Sequence, residues 1–315
     1  MILVVGESLV DIVVRSDGRR SEHPGGSPAN VAVGLGRLGH PVMLATCLGD
    51  DERGHVVREA LERSGVELAP GSVGRAPTST ATAWLDARGA ARYDFDITWD
   101  PDGLDSLSFG PIVHTGSIAS YLGPGADAVE ELVKRASATS LVTFDPNVRP
   151  RLLDDREAVL SRLTRLVAYC GVVKVSDEDL DWLYPGIAPN VVARKWLALG
   201  AELVVITAGA RGSFAVHPAG EVHVASATTP VIDTVGAGDA CMSGLIDAMT
   251  TTGVVTSDAG DPAAGVRGLS LSDLRSFMHH ANVSAAITVG RAGAEPPTRD
   301  ELPPITDSHT RRGVR

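Results

Sequence analysis

Two carboxylates flank a turn of small residues in Asp233-Thr-Val-Gly-Ala-Gly-Asp239, and a small apolar run, Ala240 to Ile246, follows. Small residues opening a helix bare backbone N–H groups at the positive end of its dipole, which is where anions, phosphate above all, are held. Asp239 stands at the helix start, placed to take a proton from a hydroxyl while Gly236, Ala237 and Gly238 hold a phosphoryl group. A base beside an anion hole is the equipment for phosphoryl transfer to an alcohol.

Elements that could position such a site alternate along the chain. Met1–Val5, Val42–Leu48, Ile112–His114, Leu141–Phe144, Val172–Val175 and Leu203–Thr207 are apolar runs without polar alternation, as strands buried on both faces are. Helical patterns separate them at Ala29–Leu38, Gly54–Arg63, Ala126–Ala136, Glu157–Ala168, Asp177–Leu183 and Val191–Leu199. The alternation implies an α/β fold, three layers α/β/α around a mostly parallel sheet. Thr78–Leu85 and Ala91–Asp96, around a turn at Asp86–Gly89, and Ile12–Arg15 alternate polar and apolar residues and read as a small β lid. Residues 1–300 are expected to form one domain, with lid strands from about 11–23 and 77–98 and a flexible tail over 301–315. Thr250–Gly268 reads as a loop before a helix at Leu271–Ala286, and the proline-rich chain from Glu295 as frayed.

The bulk properties narrow the classes. The chain has 315 residues, 43% hydrophobic and only 4% aromatic, with a mean hydropathy of +0.08, which suits a globular enzyme cored by aliphatic side chains. A net charge of -11 without a basic cluster argues against nucleic acid. No apolar run reaches the roughly 18 residues of a membrane span, and the N-terminus lacks a basic leader. Cys47, Cys170 and Cys241 have no paired spacing, so reduced thiols and a cytoplasmic setting are expected.

Pro24-Gly-Gly-Ser-Pro-Ala-Asn-Val-Ala-Val-Gly-Leu-Gly-Arg-Leu-Gly39 and Asp233–Asp239 together resemble, in order and separation, the two signatures of the PfkB/ribokinase-type carbohydrate kinases. The resemblance runs from residue 1 to about 300 and implies a ribokinase-like fold that uses ATP and Mg²⁺. It makes Asp239 the catalytic base and Gly236–Gly238 the anion hole. It places Asp11, Gly25, Gly26 and Asn30 on the sugar, and Lys174, Ser176 and Asp179 on the metal-bound phosphates. Ser176-Asp-Glu-Asp179 stands where the family has Asn-x-x-Glu, so the shorter Asp179 is expected to act through water. Thr207-Ala-Gly-Ala-Arg-Gly212 resembles the nucleotide turn, with Gly209 and Gly212 in it, and Asn282 falls on the adenine side. Asp233 matches the residue beside a monovalent-cation loop, which raises K⁺ as a second ion.

Gly25–Asn30, His114–Ala119, Tyr93-Asp-Phe95 and Lys174–Asp179 resemble fructokinases more than ribokinases, so the expected reaction is phosphorylation of fructose at the 6-hydroxyl. Asp145-Pro-Asn-Val-Arg149 is shared with 2-keto-3-deoxygluconate kinases, in which an arginine near Arg149 meets a sugar-acid carboxylate. A sensor that binds sugar or nucleotide without turnover is the rival of another class. Exposed lid edges raise a homodimer through the lid.

Other motifs have blander readings. Gly34-Leu-Gly-Arg-Leu-Gly39 matches a dinucleotide fingerprint but ends a helix instead of opening one after a strand. There is no P-loop. Adjacent His279 and His280 cannot face one metal from a helix. Cys241 reads as a packing residue, Trp99 and Tyr93 as lid packing, and Asp233 equally as a loop carboxylate.

Overall fold

A computed structural model of the chain describes residues 1–86, 91–153, 155–256 and 260–305. It opens with β1 (Ile2–Val5), β2 (Leu9–Val14), β3 (Arg20–Gly25), α1 (Ser27–Arg37), β4 (Val42–Ala45), β5 (Leu48–Gly49) and α2 (Glu52–Arg63). Next come β6 (Val66–Leu68), β7 (Val73–Gly74), β8 (Thr80–Leu85), β9 (Ala91–Asp96), β10 (Ile112–Gly116), α3 (Gly125–Ala136) and β11 (Leu141–Asp145). Then follow α4 (Arg156–Val167), β12 (Val172–Ser176), α5 (Asp177–Leu183), α6 (Pro189–Leu199), β13 (Leu203–Thr207), β14 (Ser213–His217) and β15 (Gly220–Val224). α7 (Ala237–Thr251), α8 (Ala264–Arg267) and α9 (Leu271–Val289) complete the chain's regular elements.

The main sheet runs β15-β14-β13-β12-β11-β10-β1-β4-β6, parallel except for the β14–β15 hairpin at one edge. Alternate strand residues point to opposite faces. Ile2, Val4, Ile112, Leu141, Val172 and Leu203 pack under α1, α7 and α9, and Leu3, Val5, Val113, Val142, Val173 and Val204 pack on the other face with residues of α3, α4 and α6. This is the expected three-layer α/β/α arrangement. Among the described residues no helix is long and apolar enough to cross a membrane.

A second sheet, β3-β2-β8-β9, gathers the strands expected as a lid. Its β2 register sets Asp11 opposite His23 on one side and Ala81 on the other. The strand β3 falls mostly within the expected lid segment 11–23, although Arg20, Glu22, His23 and Pro24 give it no strand pattern of its own; a proline is tolerated on a sheet edge. The turn expected at Asp86–Gly89 lies largely outside the described residues.

Three further expectations change. The hairpin β14–β15 is missed because serine, histidine and glutamate interrupt its apolar run. The supposed loop Thr250–Gly268 contains the end of α7 and all of α8, with 257–259 outside the described residues. The supposedly frayed chain from Glu295 is docked: Arg37 bonds the Pro296 carbonyl (2.9 Å) and Glu295 (2.8 Å), and Arg299 bonds the Leu38 carbonyl (2.7 Å). Residues 306–315 of the expected tail lie outside the described residues.

Candidate active site

Parallel strands put their carboxyl ends on one edge, where open α/β sheets bind ligands. The chain leaves β1 at Val5, β10 at Gly116, β11 at Asp145 and β12 at Ser176, and the segments leaving that edge carry the candidate residues. Backbone strain collects there as well: Ser117 (φ 55) and Asn147 (φ 37) are the described non-glycine residues in the left-handed region.

Gly236 (φ 76) caps α7 without help from any side chain. A Cβ there would come within 2.6 Å of Ala294, so glycine alone fits both the dihedral and the space. Ala237 N–H donates to Thr234 O at 3.3 Å, while the N–H groups of Gly238 and Asp239 have no backbone acceptor among the described residues. The Gly236 N–H likewise has no acceptor among the described residues, so two of the three expected amides, Gly236 and Gly238, are bare, joined by that of Asp239. Asp239 is buried, and its oxygens accept from Ser27 Oγ (2.7 Å) and Asn30 Nδ2 (2.8 Å). Burial raises its pKa, and those two hydrogen bonds oppose the rise.

Ser27 was not picked out from the sequence. It stands three residues before Asn30 on α1, the spacing that puts both on one helix face. The glycines before them allow α1 to start in this position. A Cβ on Gly25 would lie 2.1 Å from Asp11 Oδ2, and one on Gly26 (φ 103) would lie 2.4 Å from Glu7 O. Asp11 therefore packs against the turn that delivers Asn30 to Asp239. Burial lifts the Asp11 pKa to about 6, against the pull of Arg149 and His23.

Asp145 ends β11, and the register of β11 on β12 sets it beside Lys174. Lys174 Nζ lies 2.8 Å from Asp145 Oδ2, with both side chains almost fully buried. Burial disfavours the ammonium, but Asp145, Cys241 and Asp239 outweigh it and its pKa ends above the ordinary value. A Cβ on Gly238 would be 3.4 Å from Nζ, so this charge lies against the bare amides. Asp145, not singled out from the sequence, keeps its Oδ1 buried and without a partner.

Asp179 is also buried, and its pKa is lifted to about 6 by burial and by Asp145. Ser176 Oγ accepts the Asp179 N–H (2.9 Å), capping α5. Two carboxylates around an orphaned oxygen are hard oxygen donors suited to Mg²⁺ held jointly with phosphate. No group of three or more His, Cys, Asp or Glu among the described residues could hold a metal without such help.

The turn after β13 is built as a cradle: Ala208 N–H bonds Gly212 O (2.8 Å), and Gly209 (φ 52) and Gly212 (φ 87) take conformations other residues avoid. Thr207 ends the strand, half-buried. Arg211 pairs with Asp177, fastening the turn to the start of α5. Asn282 is a brace and does not offer a free amide. Its Oδ1 accepts from Ser213 (2.9 Å) and its Nδ2 donates to Val224 O and Ala225 O (each 3.2 Å). Asp233 accepts from Val235 N–H (3.1 Å) and Gly293 N–H (2.9 Å), the loop role, and each oxygen keeps a lone pair for a cation.

Arg149 donates to the carbonyls of Asn147 (3.0 Å) and Val148 (3.2 Å), and its charge reaches Glu7, Asp11 and Asp179. It thus lies between Asp11 and Asp179. Glu7 is a second residue the sequence reading missed. It follows β1, is buried, accepts the Ala119 N–H (3.1 Å), and burial lifts its pKa from 4.5 to about 7.

A raised carboxyl pKa favours the folded state at low pH, and that stability is lost as pH rises through about 7. Between pH 5 and 8 Glu7 should therefore cost the wild type about 2–3 kcal/mol. Asp11 and Asp179 act in the same direction, so the contrast is read against Glu7→Gln. Unfolding in urea should show the variant gaining that amount on the wild type between the two pH values. An unchanged gap would remove the ionisation assigned to Glu7.

Most of the blander readings agree with the structure. Burial pushes the Cys241 thiol up to about 11, which disarms it as a nucleophile. Cβ atoms on Gly34 and Gly36 would meet Ser243 Oγ at 2.4 Å and Ser64 O at 2.1 Å, so the glycines of the fingerprint serve close packing. Trp99 does not pack on the second sheet: it is buried in the core cluster on the α3 face of the main sheet, with Nε1 on Ala119 O (3.0 Å), and Tyr93 is exposed, stacked on Phe95. His279 is exposed and His280 buried, on different faces.

Residues 1–301 match the family described as pfkB family carbohydrate kinase. A fructokinase of Rhizobium leguminosarum bv. trifolii is 34% identical over 270 residues, 81% of this chain and 82% of that one. The structure of a fructokinase with bound ATP from Xylella fastidiosa superposes with a TM-score of 0.81 at 26% identity, covering 95% of this chain and 96% of that one. A fructokinase double mutant from Vibrio cholerae O395, in fructose, ADP and potassium ion bound form, gives 0.77 at 25% identity over 93% of each chain.

Proposed function

The chain belongs to the pfkB family of carbohydrate kinases, and from that premise we propose that it transfers the γ-phosphate of ATP to the 6-hydroxyl of fructose. The observation that carries the reading is the setting of Asp239, between the side chains of Ser27 and Asn30 and the bare amides of α7, with Lys174 against Gly238. Asp11 and Asn30 bind sugar hydroxyls. Asp239 orients the attacking hydroxyl and takes its proton late, as the new P–O bond forms and the bond to ADP breaks. The transition state is loose, so alignment and charge account for most of the rate. The amides and Lys174 stabilise the transferring group. Asp145 and Asp179 are the residues that would hold Mg²⁺, which when bound would offset the charge of the ATP phosphates. The β3-β2-β8-β9 sheet covers the sugar and excludes water.

Charge favours an uncharged sugar. Among the described residues, Glu7, Asp11, Asp145, Asp179 and Asp239 share Lys174, Arg149 and His23, and Lys174 is already paired with Asp145. A sugar acid would add a carboxylate to this excess. The second reading, a 2-keto-3-deoxygluconate kinase, draws on Arg149, which bonds only to main-chain carbonyls and its neighbour Asn147. ADP release over a panel of fructose, ribose, glucose and 2-keto-3-deoxygluconate separates them. Turnover with fructose at the highest kcat/KM is expected. A preference for the sugar acid would establish the second reading, ribose the ribokinase one, and binding without turnover a sensor.

A further inference from the structure

Two turns beyond Asp239, at about 1.5 Å of rise per residue, α7 carries a second buried carboxylate that the reaction does not use. Asp247 is fully buried in the middle of the helix layer. His40 Nε2 lies 2.7 Å from its Oδ1 and His280 Nε2 lies 2.7 Å from its Oδ2. Arg299 meets both oxygens, Nη1 at 2.8 Å from Oδ2, and Thr251 Oγ1 donates to Oδ1 at 3.1 Å. The donors come from the turn after α1, from α9, from α7 itself and from the C-terminal segment. That segment is fixed independently by Arg37 on Glu295 and Pro296, and by Arg299 on Leu38 O.

Along its length α7 is seated in the core by Met242, Leu245, Ile246 and Met249. It meets α1 and α9 through small residues: Cβ atoms on Gly34 and Gly244 would touch Ser243 Oγ at 2.4 Å and Ala281 Cα at 3.0 Å. These contacts are apolar and non-directional, and the N-terminus of α7 has no side-chain cap. Directional bonds to a buried charge do define a position along the axis. A helix moves as a rigid rod, so a slide at Asp247 is a slide of the amides and of Asp239.

We infer that Asp247 and residues 295–302 form a clamp that sets the axial position of the phosphoryl-transfer helix, which makes Asp247 and Arg299 positioning residues for the transfer step. The inference rests on the kinase reading above. Misplacement by 1 Å costs up to about 10²-fold in rate without changing the groups that bind substrate. The test compares wild type, Arg299→Ala and Arg299→Lys in ADP release, with the sugar the wild type uses best and kcat expressed per folded molecule from circular dichroism. Arg299→Ala is expected to lower kcat about tenfold or more while KM for the sugar stays within about twofold, and Arg299→Lys to recover much of the loss. A kcat within about twofold of wild type, even with a lower Tm, makes the clamp a stability feature only and overturns the inference. Should Arg299→Ala fail to fold, His40→Ala at the rim of the cluster gives the same reading, a fall in kcat with KM unchanged supporting it and an unchanged kcat overturning it. A wild type that turns over no sugar would sink the kinase reading and the clamp together; an active wild type with an unaffected variant sinks the clamp alone.

Discussion

Asp239→Asn is expected to fold, to bind ATP and sugar, and to lose about 10²–10⁴-fold in turnover. The side chain is held by two donors, Ser27 Oγ and Asn30 Nδ2, and by no cation in direct contact. An amide keeps one accepting oxygen and nearly the same shape. Its new N–H₂ can be met by rotating the Ser27 hydroxyl, so no large polar imbalance is buried. Burial raises the pKa of Asp239, which makes the carboxylate a better proton acceptor than an exposed one, and the substitution removes that acceptor while leaving the amides of α7 in place. Calorimetry for binding and ADP release for turnover check the two halves separately. A variant that kept a tenth of wild-type turnover would show that another group takes the proton.

Lys174→Met should act on stability and rate at once, and a second substitution should part the two. Lys174 and Asp145 are buried together at 2.8 Å, so removing the cation leaves an uncompensated carboxylate and costs about 3–5 kcal/mol. It also removes the charge that lies against Gly238, where the phosphoryl group is stabilised, and the loss of one such stabilising group costs about 10²–10³ in kcat. Adding Asp145→Asn removes the stranded charge. The double variant is therefore expected to regain much of the stability in urea unfolding and none of the turnover. Recovery of both would assign the pair a purely structural role.

The buried carboxylate of Asp239 and its glycine turn were legible because they are local: a carboxylate, small residues and a helix start lie within one short segment. The core strands of the parallel sheet were legible for a similar reason, since burial on both faces leaves long apolar runs. What sequence reading missed is long-range or mixed in character. Ser27 becomes a partner of Asp239 only because Gly25 and Gly26 bring α1 against the loop after β1. Asp145 is legible in Asp145–Arg149, yet its pairing with Lys174 depends on strand register. Glu7 looks like any loop acid until burial is known. Asn282 falls on the expected side of the fold but spends its amide on bracing β14 and β15. The docked segment from Glu295 is proline-rich and charged, as frayed ends are, and its anchor, Asp247, sits far away inside a helix that reads as apolar.

The most direct test of the central claim is a single turnover. Protein, MgATP and fructose are mixed rapidly and the γ-phosphoryl group is followed. In the wild type it should appear on the 6-hydroxyl of fructose, and in Asp239→Asn, with both ligands bound, the same step should be slower by about 10² or more. Equal transfer rates in the two proteins would contradict the assignment of Asp239 as the base.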